Sequence, residues 1–163
     1  MSELVYSHEK VKVYLTENSI HVKEELYESA VILALHKGKV AVLRHYREPV
    51  DGDSYELPGG TIEKGESPEL AARRELNEEA ALDCEELIHL GSIHACSNLI
   101  NRVAHLFFAK ETTEQEEQHL GQDEKIAVEF YEKPEVLAHM ISGEWKNSEM
   151  AHALFLAMQK GLL

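Results

Sequence analysis

The chain has 163 residues, 44% hydrophobic and 28% charged, which predicts one domain with a buried core. Its formal net charge of −14, with no cluster of Lys or Arg, argues against a nucleic-acid backbone as partner, though an anionic small molecule stays compatible once bound cations reverse the local field. Two cysteines, no signal-like start, no apolar run long enough for a bilayer and scattered histidines predict a reduced, cytoplasmic protein with no membrane partner and no zinc site.

In chain order, residues 11–15 read as a strand, and residues 30–35 and 40–46 as a hairpin around the turn His36-Lys37-Gly38-Lys39. Residues 54–57 form a short strand leading into Gly59 and Gly60. A helix is expected over 68–80, strands over 87–93, 103–109 and 126–131, and helices over 134–141 and 149–159. Ala151, Leu154, Phe155 and Met158 recur at helical spacing and read as core. The segment 111–125 is polar and loop-like.

The helix over 68–80 can be argued residue by residue. Ser67 is a good N-cap, Pro68 fits the first helical position, and Glu69 sits near the positive end of the dipole. At roughly 100° per residue, Glu75, Glu78 and Glu79 fall on one face while Ala72, Leu76 and Ala80 make a separate apolar stripe. Three carboxylates at i, i+3 and i+4 repel one another by a few tenths of a kcal/mol per exposed pair. A hard cation such as Mg²⁺ or Mn²⁺ would reverse that sign. Gly59 and Gly60 let the backbone come close to a ligand and leave carbonyl oxygens as further hard donors. Taken alone, Glu78 and Glu79 read as a solvated helix face; the glycine loop, Glu66 and the Arg74-Glu75 pair call for a joint explanation.

Gly60, five residues, Glu66, seven residues, then Arg74-Glu75-Leu76-Asn77-Glu78-Glu79 closely resembles the Nudix box. The resemblance implies a Nudix hydrolase: an α/β fold of the Nudix type, an α/β/α sandwich with a mixed central sheet and an additional N-terminal antiparallel strand region. Such enzymes cleave a nucleoside diphosphate linked to another moiety, using Mg²⁺ or Mn²⁺. Carried over by position, the resemblance implies that Glu75 and Glu79 are the main metal ligands, Glu78 a further or water-mediated one, and the Gly59 carbonyl a backbone ligand. Glu66 and Arg74 become a supporting pair, which is physically sensible because an Arg-carboxylate bond can lock the helix to the preceding loop. One departure is Ala81, where the box usually has Gly. In a left-handed helix exit Ala costs about 1 kcal/mol.

Outside the box, LRHYREPVDGDSYELPGG resembles the region of ADP-ribose pyrophosphatases where an Arg-x-Tyr-Arg strand leads into a Glu-Leu-Pro-x-Gly turn. ISGEWKNSEMAHALFLA resembles that group's terminal helices, so the likeness spans about residues 30–160. Arg44 and Arg47 have the wrong spacing for one face of a strand, so at most one enters the site, and Arg47 is the expected phosphate or ribose contact. Glu56 is expected to bind a base or ribose hydroxyl, or else to be a sheet-edge residue. That group often carries Pro where this chain has Asn98, whose turn is a candidate contact to the distal sugar. Glu124, just before a strand, is the best match to the group's general base, with Glu114, Glu116, Glu117 and Asp123 as competitors. The resemblance also implies a homodimer with N-terminal strands exchanged or packed across subunits. The expected substrate is ADP-ribose or a similar nucleotide sugar. Cleavage of oxidised nucleoside triphosphates or RNA 5′ ends, and binding without turnover, are the competing readings.

Overall fold

The computed structural model describes residues 2–115, 118 and 126–163. Three N-terminal strands, β1 (Glu3–His8), β2 (Val11–Leu15) and β3 (Ile20–Glu24), form an antiparallel meander in a sheet of their own. There follow β4 (Glu28–His36), β5 (Lys39–Arg47), β6 (Gly52–Glu56), β7 (Gly59–Thr61), the helix α1 (Pro68–Ala80) and β8 (Leu82–Asp83). The chain continues through β9 (Ile88–His94), β10 (Val103–Ala109), β11 (Thr113–Glu114), β12 (Ile126–Tyr131), α2 (Lys133–Ser142) and α3 (Ser148–Gln159). The central sheet runs β12-β5-β4-β10-β9, with β6 on β5 and β7 on β4. It is mixed, because β4 and β10 are parallel while the other pairings are antiparallel.

Alternation along the buried strands divides the interior into two layers. Ala30, Ile32 and Ala34 of β4, with Phe107 of β10, face Ala72, Leu76 and Ala80 of α1. Val31, Leu33 and Leu35, with Leu106 and Phe108, face Val136 of α2, Trp145, and Met150, Ala153, Leu154 and Ala157 of α3. Helices therefore cover both faces of the sheet, the α/β/α arrangement that the box resemblance implies. The stripe Ala72-Leu76-Ala80 is the packing edge of α1, and burying Leu76 contributes roughly 2 kcal/mol.

The hairpin forms as expected. Lys37 at φ 50° and Gly38 at φ 83° make a two-residue turn whose twist matches the flanking strands. Strands 11–15, 103–109 and 126–131 agree to the residue with the sequence reading. β1 and β3 escape it: β1 is exposed along its whole length, so no inward face imposes an alternation on its sequence. β7 is hidden by its two glycines, which carry no strand signal of their own. Within the stretch read as a loop, Thr113 and Glu114 pair with β8.

Candidate active site

α1 begins as its sequence dictates. Leu70 N–H donates to Ser67 Oγ at 3.3 Å, and Pro68 takes the first turn. The helix exits through Ala81, held at φ 50°, ψ 40°. Between these ends the helix leans its apolar stripe on β4 and turns Glu75 and Glu79 toward the glycine loop, where both are buried, while Glu78 stays at the solvent side.

Gly59 and Gly60 leave no room for side chains. A Cβ on Gly60 would stand 2.3 Å from Glu75 Oε1, and one on Gly59 would stand 2.4 Å from the Ala30 carbonyl oxygen. Gly59 N–H donates to Glu79 Oε2 at 2.7 Å, tying strand to helix across 20 residues of sequence.

Arg74 organises the other edge. Its guanidinium meets Glu66 through two bonds of 3.0 Å, Nε to Oε1 and Nη2 to Oε2. It also donates to the Thr61 carbonyl (3.0 Å), to Glu75 Oε1 (2.7 Å) and to Glu78 Oε2 (3.3 Å). Glu63 N–H donates to Glu66 Oε2 at 3.0 Å. The bond from Arg74 holds the Glu66 carboxyl below its usual range, against a smaller opposing push from burial. Arg74 thus joins the loop before the helix to three of the acidic groups on or beside it.

A cavity of about 290 Å³ opens at this point. Glu75 and Glu79 of α1 reach it with Gly59 and Gly60, Arg47 of β5, and Glu56 of β6. Arg47 and Glu56 meet as a fork, Nε to Oε1 at 3.0 Å and Nη2 to Oε2 at 2.6 Å. Burial pushes the Glu56 carboxyl up, but the Arg47 guanidinium and a Ser54 hydrogen bond together bring it below the ordinary value. Arg44 lies on the opposite face of β5, as odd spacing requires, and pairs with Glu129 (2.9 Å) and Asp53 (3.1 Å) rather than lining the cavity. Asn98 sits in the exposed turn after β9, where its Oδ1 accepts from Cys96 Sγ at 3.2 Å, and is not part of the cavity wall. Glu124 lies outside the described residues, as do Glu116, Glu117 and Asp123. The backbone of Glu114 pairs with Leu82 just past the helix exit, but its carboxylate meets His36 and Lys37 and does not line the cavity.

Three further titratable residues of the wall were not picked out from the sequence: His45, Arg102 and Glu149. Arg102 and Glu149 come from the start of β10 and the first turn of α3, and only the folded sheet brings those ends beside β6. His45 was legible in principle, because it shares a strand face with Arg47.

The donor set fits a hard divalent cation. Two buried carboxylates and a closely approached glycine backbone are all oxygen donors, while Glu78 does not line the cavity and bonds Arg74 on the solvent side. Among the described residues no three His, Cys, Asp or Glu side chains already converge on one point, since Glu75 is turned to Arg74 and Glu79 to Gly59 N–H.

Residues 26–154 match the NUDIX domain. The chain belongs to the Nudix family. It is 29% identical over 135 residues to the ADP-ribose pyrophosphatase of Bacillus subtilis (strain 168), a match covering 82% of this chain and 73% of that protein. A methanol dehydrogenase activator of Bacillus methanolicus is 34% identical over 103 residues, 63% of this chain and 55% of its own length. The ADP-sugar pyrophosphatase of Mus musculus is 40% identical over 63 residues, 39% of this chain and 26% of that one. A solved structure of an ADP compounds hydrolase superposes with a TM-score of 0.81 at 16% identity, covering 100% of this chain and 95% of the other, and so shares the fold. The Nudix protein is an enzyme of the pyrophosphohydrolase class. Among its described residues no helix is long and apolar enough to cross a membrane.

Proposed function

We propose that this Nudix enzyme hydrolyses the pyrophosphate bond of ADP-ribose or a similar nucleoside diphosphate sugar, giving a nucleoside monophosphate and a sugar phosphate. The observation that carries the reading is the joint burial of Glu75 and Glu79 against Gly59 and Gly60 in a cavity that also holds Arg47 and Glu56. The acidic group is where a pyrophosphate would be neutralised by metal. The Arg47-Glu56 fork offers hydrogen-bonding groups for the rest of a nucleotide. The likeness to the Bacillus subtilis ADP-ribose pyrophosphatase supports the same substrate class.

Glu75, Glu79, Glu78 and the Gly59 carbonyl would hold Mg²⁺ or Mn²⁺, which when bound supplies positive charge against the phosphates and a more acidic water. The residues of this chain do the rest. Arg74 fixes Glu75 and Glu66 so that the loop keeps its distance from the helix, and Arg47 presents N–H groups toward the substrate side of the cavity. Glu124 is proposed as the general base that takes the proton of the attacking water. Glu124→Gln should then lower turnover and alter the pH-rate profile while Mn²⁺ affinity stays the same; an unchanged profile would move the base elsewhere.

The deciding experiment incubates the purified protein with ADP-ribose and a panel of other nucleotide sugars, oxidised nucleoside triphosphates and capped RNA, with Mg²⁺ or Mn²⁺, and resolves the products. Release of nucleoside monophosphate and sugar phosphate in preference to the other products is expected. Turnover confined to triphosphates or RNA, or binding with no product, would replace the reading.

We also infer that two copies associate through the N-terminal sheet. Leu4, Val5 and Tyr6 of β1 are each about half exposed, and Leu15 and Ile20 extend that apolar surface. β1 has a neighbour on one side only, leaving an open sheet edge among the described residues. Sedimentation should give twice the 18.5 kDa chain mass, and Val5→Glu should shift it to monomer.

A further inference from the structure

Glu149 stands in the first turn of α3, on the face of the sheet opposite α1, and reaches the cavity from the side away from the box. It makes no hydrogen bond or ion pair among the described residues. The two arginines whose charge reaches it each hold another carboxylate in a bidentate pair, Arg47 the neighbouring Glu56 and Arg102 Glu24. The turn's own N–H groups do not need it, because Asn147 Oδ1 already accepts from Met150 N–H at 2.8 Å. A part-buried carboxyl in a cavity, without a hydrogen-bond partner among the described residues, has bonding capacity left for a ligand.

The ligand group can be narrowed by charge. At this end of the cavity Arg47 already balances Glu56 and Arg102 balances Glu24, so Glu149 adds a negative charge with no ion pair of its own among the described residues, and that charge disfavours a phosphate beside it. A neutral group that donates hydrogen bonds would be welcomed, and a sugar with adjacent hydroxyls supplies two donors, one for each carboxyl. We propose that Glu149 is a specificity-determining residue that, beside Glu56, binds a vicinal diol of a substrate sugar. The inference rests on the nucleotide-sugar reading above. Burial first and then the neighbouring Glu56 push the Glu149 carboxyl up, against smaller pulls from Arg102 and Arg47. Phosphates then lie at the Glu75-Glu79 end, and the cavity is polarised into a metal end and a sugar end.

The test compares wild type, Glu149→Ala and Glu149→Gln on ADP-ribose and on its two analogues lacking the 2-hydroxyl of one or the other ribose. Wild type should lose about tenfold or more in kcat/KM on one deoxy analogue, as expected for a site built to bond a hydroxyl. Glu149→Ala should raise KM for ADP-ribose about tenfold with little change in kcat, and the deoxy penalty should vanish. Glu149→Gln, which keeps shape and one acceptor oxygen, should fall between the two, and carries the test if the alanine variant unfolds. A variant with wild-type KM and an intact deoxy penalty overturns the role of Glu149 and leaves the substrate reading standing. Absence of wild-type turnover on every nucleotide sugar overturns the substrate reading, and this inference with it.

Discussion

Arg74 and Glu66 face each other as two parallel hydrogen bonds of 3.0 Å, and the same guanidinium continues to Glu75 Oε1 at 2.7 Å. A planar fork is needed for that pattern, because lysine offers a point charge that cannot hold two carboxylates and the Thr61 carbonyl in fixed directions. Arg74→Lys should therefore lower kcat by about 10- to 100-fold, the usual range for a residue that orients a metal ligand. Some stability should be lost as well, because the pair is mostly buried and lysine cannot keep the fork and the Thr61 bond together. Wild-type turnover in the lysine variant would reduce the pair to a surface contact.

Glu79 is buried, and one oxygen already accepts from Gly59 N–H at 2.7 Å. Glutamine keeps that acceptor and the side-chain volume but removes the charge. Glu79→Gln should fold with a near-normal melting temperature, bind Mn²⁺ more weakly by paramagnetic resonance, and lose orders of magnitude in turnover. Near-normal turnover would take Glu79 out of the metal site.

The contrast between these residues and Glu149 explains what could be read from sequence. The box helix was legible because its first proline, its apolar stripe and its acidic face are all written within its 13 residues, with its cap immediately before them. The strands 103–109 and 126–131 were legible because their sequences are compact apolar or alternating runs. Arg47 and Glu56 were legible as a neighbourhood through their place before the glycine loop. Arg102 and Glu149 were not, because nothing local marks them; a parallel β4-β10 pairing and the return of α3 across the sheet create their proximity. β1 stayed hidden for the reverse reason, since a strand that buries no face need not alternate.

Arg44 and Tyr131 both bond Glu129, on the face of the sheet away from the cavity. The Tyr131 hydroxyl and then Arg44 hold the Glu129 carboxyl below its ordinary 4.5, while burial and Glu129 push the Tyr131 phenol up to about 12. For Glu129 the folded value is depressed, so its stabilisation is present above the unfolded value and is lost as pH falls through the folded one. For Tyr131 the folded value is raised, so its contribution is full below about 10 and lost as pH climbs through about 12. The stability difference between wild type and Glu129→Gln, from urea midpoints, should shrink as pH drops from 6 toward 3. A difference independent of pH would show that the carboxylate is not held by this network. Turnover at pH 7 should be unaffected, because none of the three lines the cavity.

Ala81 occupies the left-handed exit of α1 at φ 50°, ψ 40°, with its N–H on the Asn77 carbonyl at 3.0 Å and its own carbonyl accepting from Gln115 N–H at 2.8 Å. These bonds fix the backbone whatever the side chain, so the Cβ strain is carried in the native state. Glycine relieves it but enlarges the freedom of the unfolded chain, and at a positive φ the relief is the larger effect. Ala81→Gly should stabilise the protein by roughly 0.5–1 kcal/mol, seen as a rise of about 1–4 °C in Tm. A fall in Tm would mean that the exit relaxes away from the left-handed region.

The two glycines of the loop should fail differently when given a methyl group. At Gly59 the new Cβ meets backbone, the Ala30 carbonyl oxygen at 2.4 Å and Val31 Cα at 2.9 Å, within the β4-β7 ladder. Neither atom can rotate aside, so Gly59→Ala should cost about 1–3 kcal/mol or more in stability by denaturant titration. At Gly60 the obstacle is the end of a side chain, Glu75 Oε1 at 2.3 Å and Cδ at 2.5 Å. Glu75 can swing away, and in doing so it abandons Arg74 and the cavity. Gly60→Ala should consequently retain most of its stability and lose turnover by about 100-fold, the penalty of displacing a carboxylate proposed as a ligand by an ångström or more. An active Gly60→Ala enzyme would show that Glu75 does its work from another rotamer.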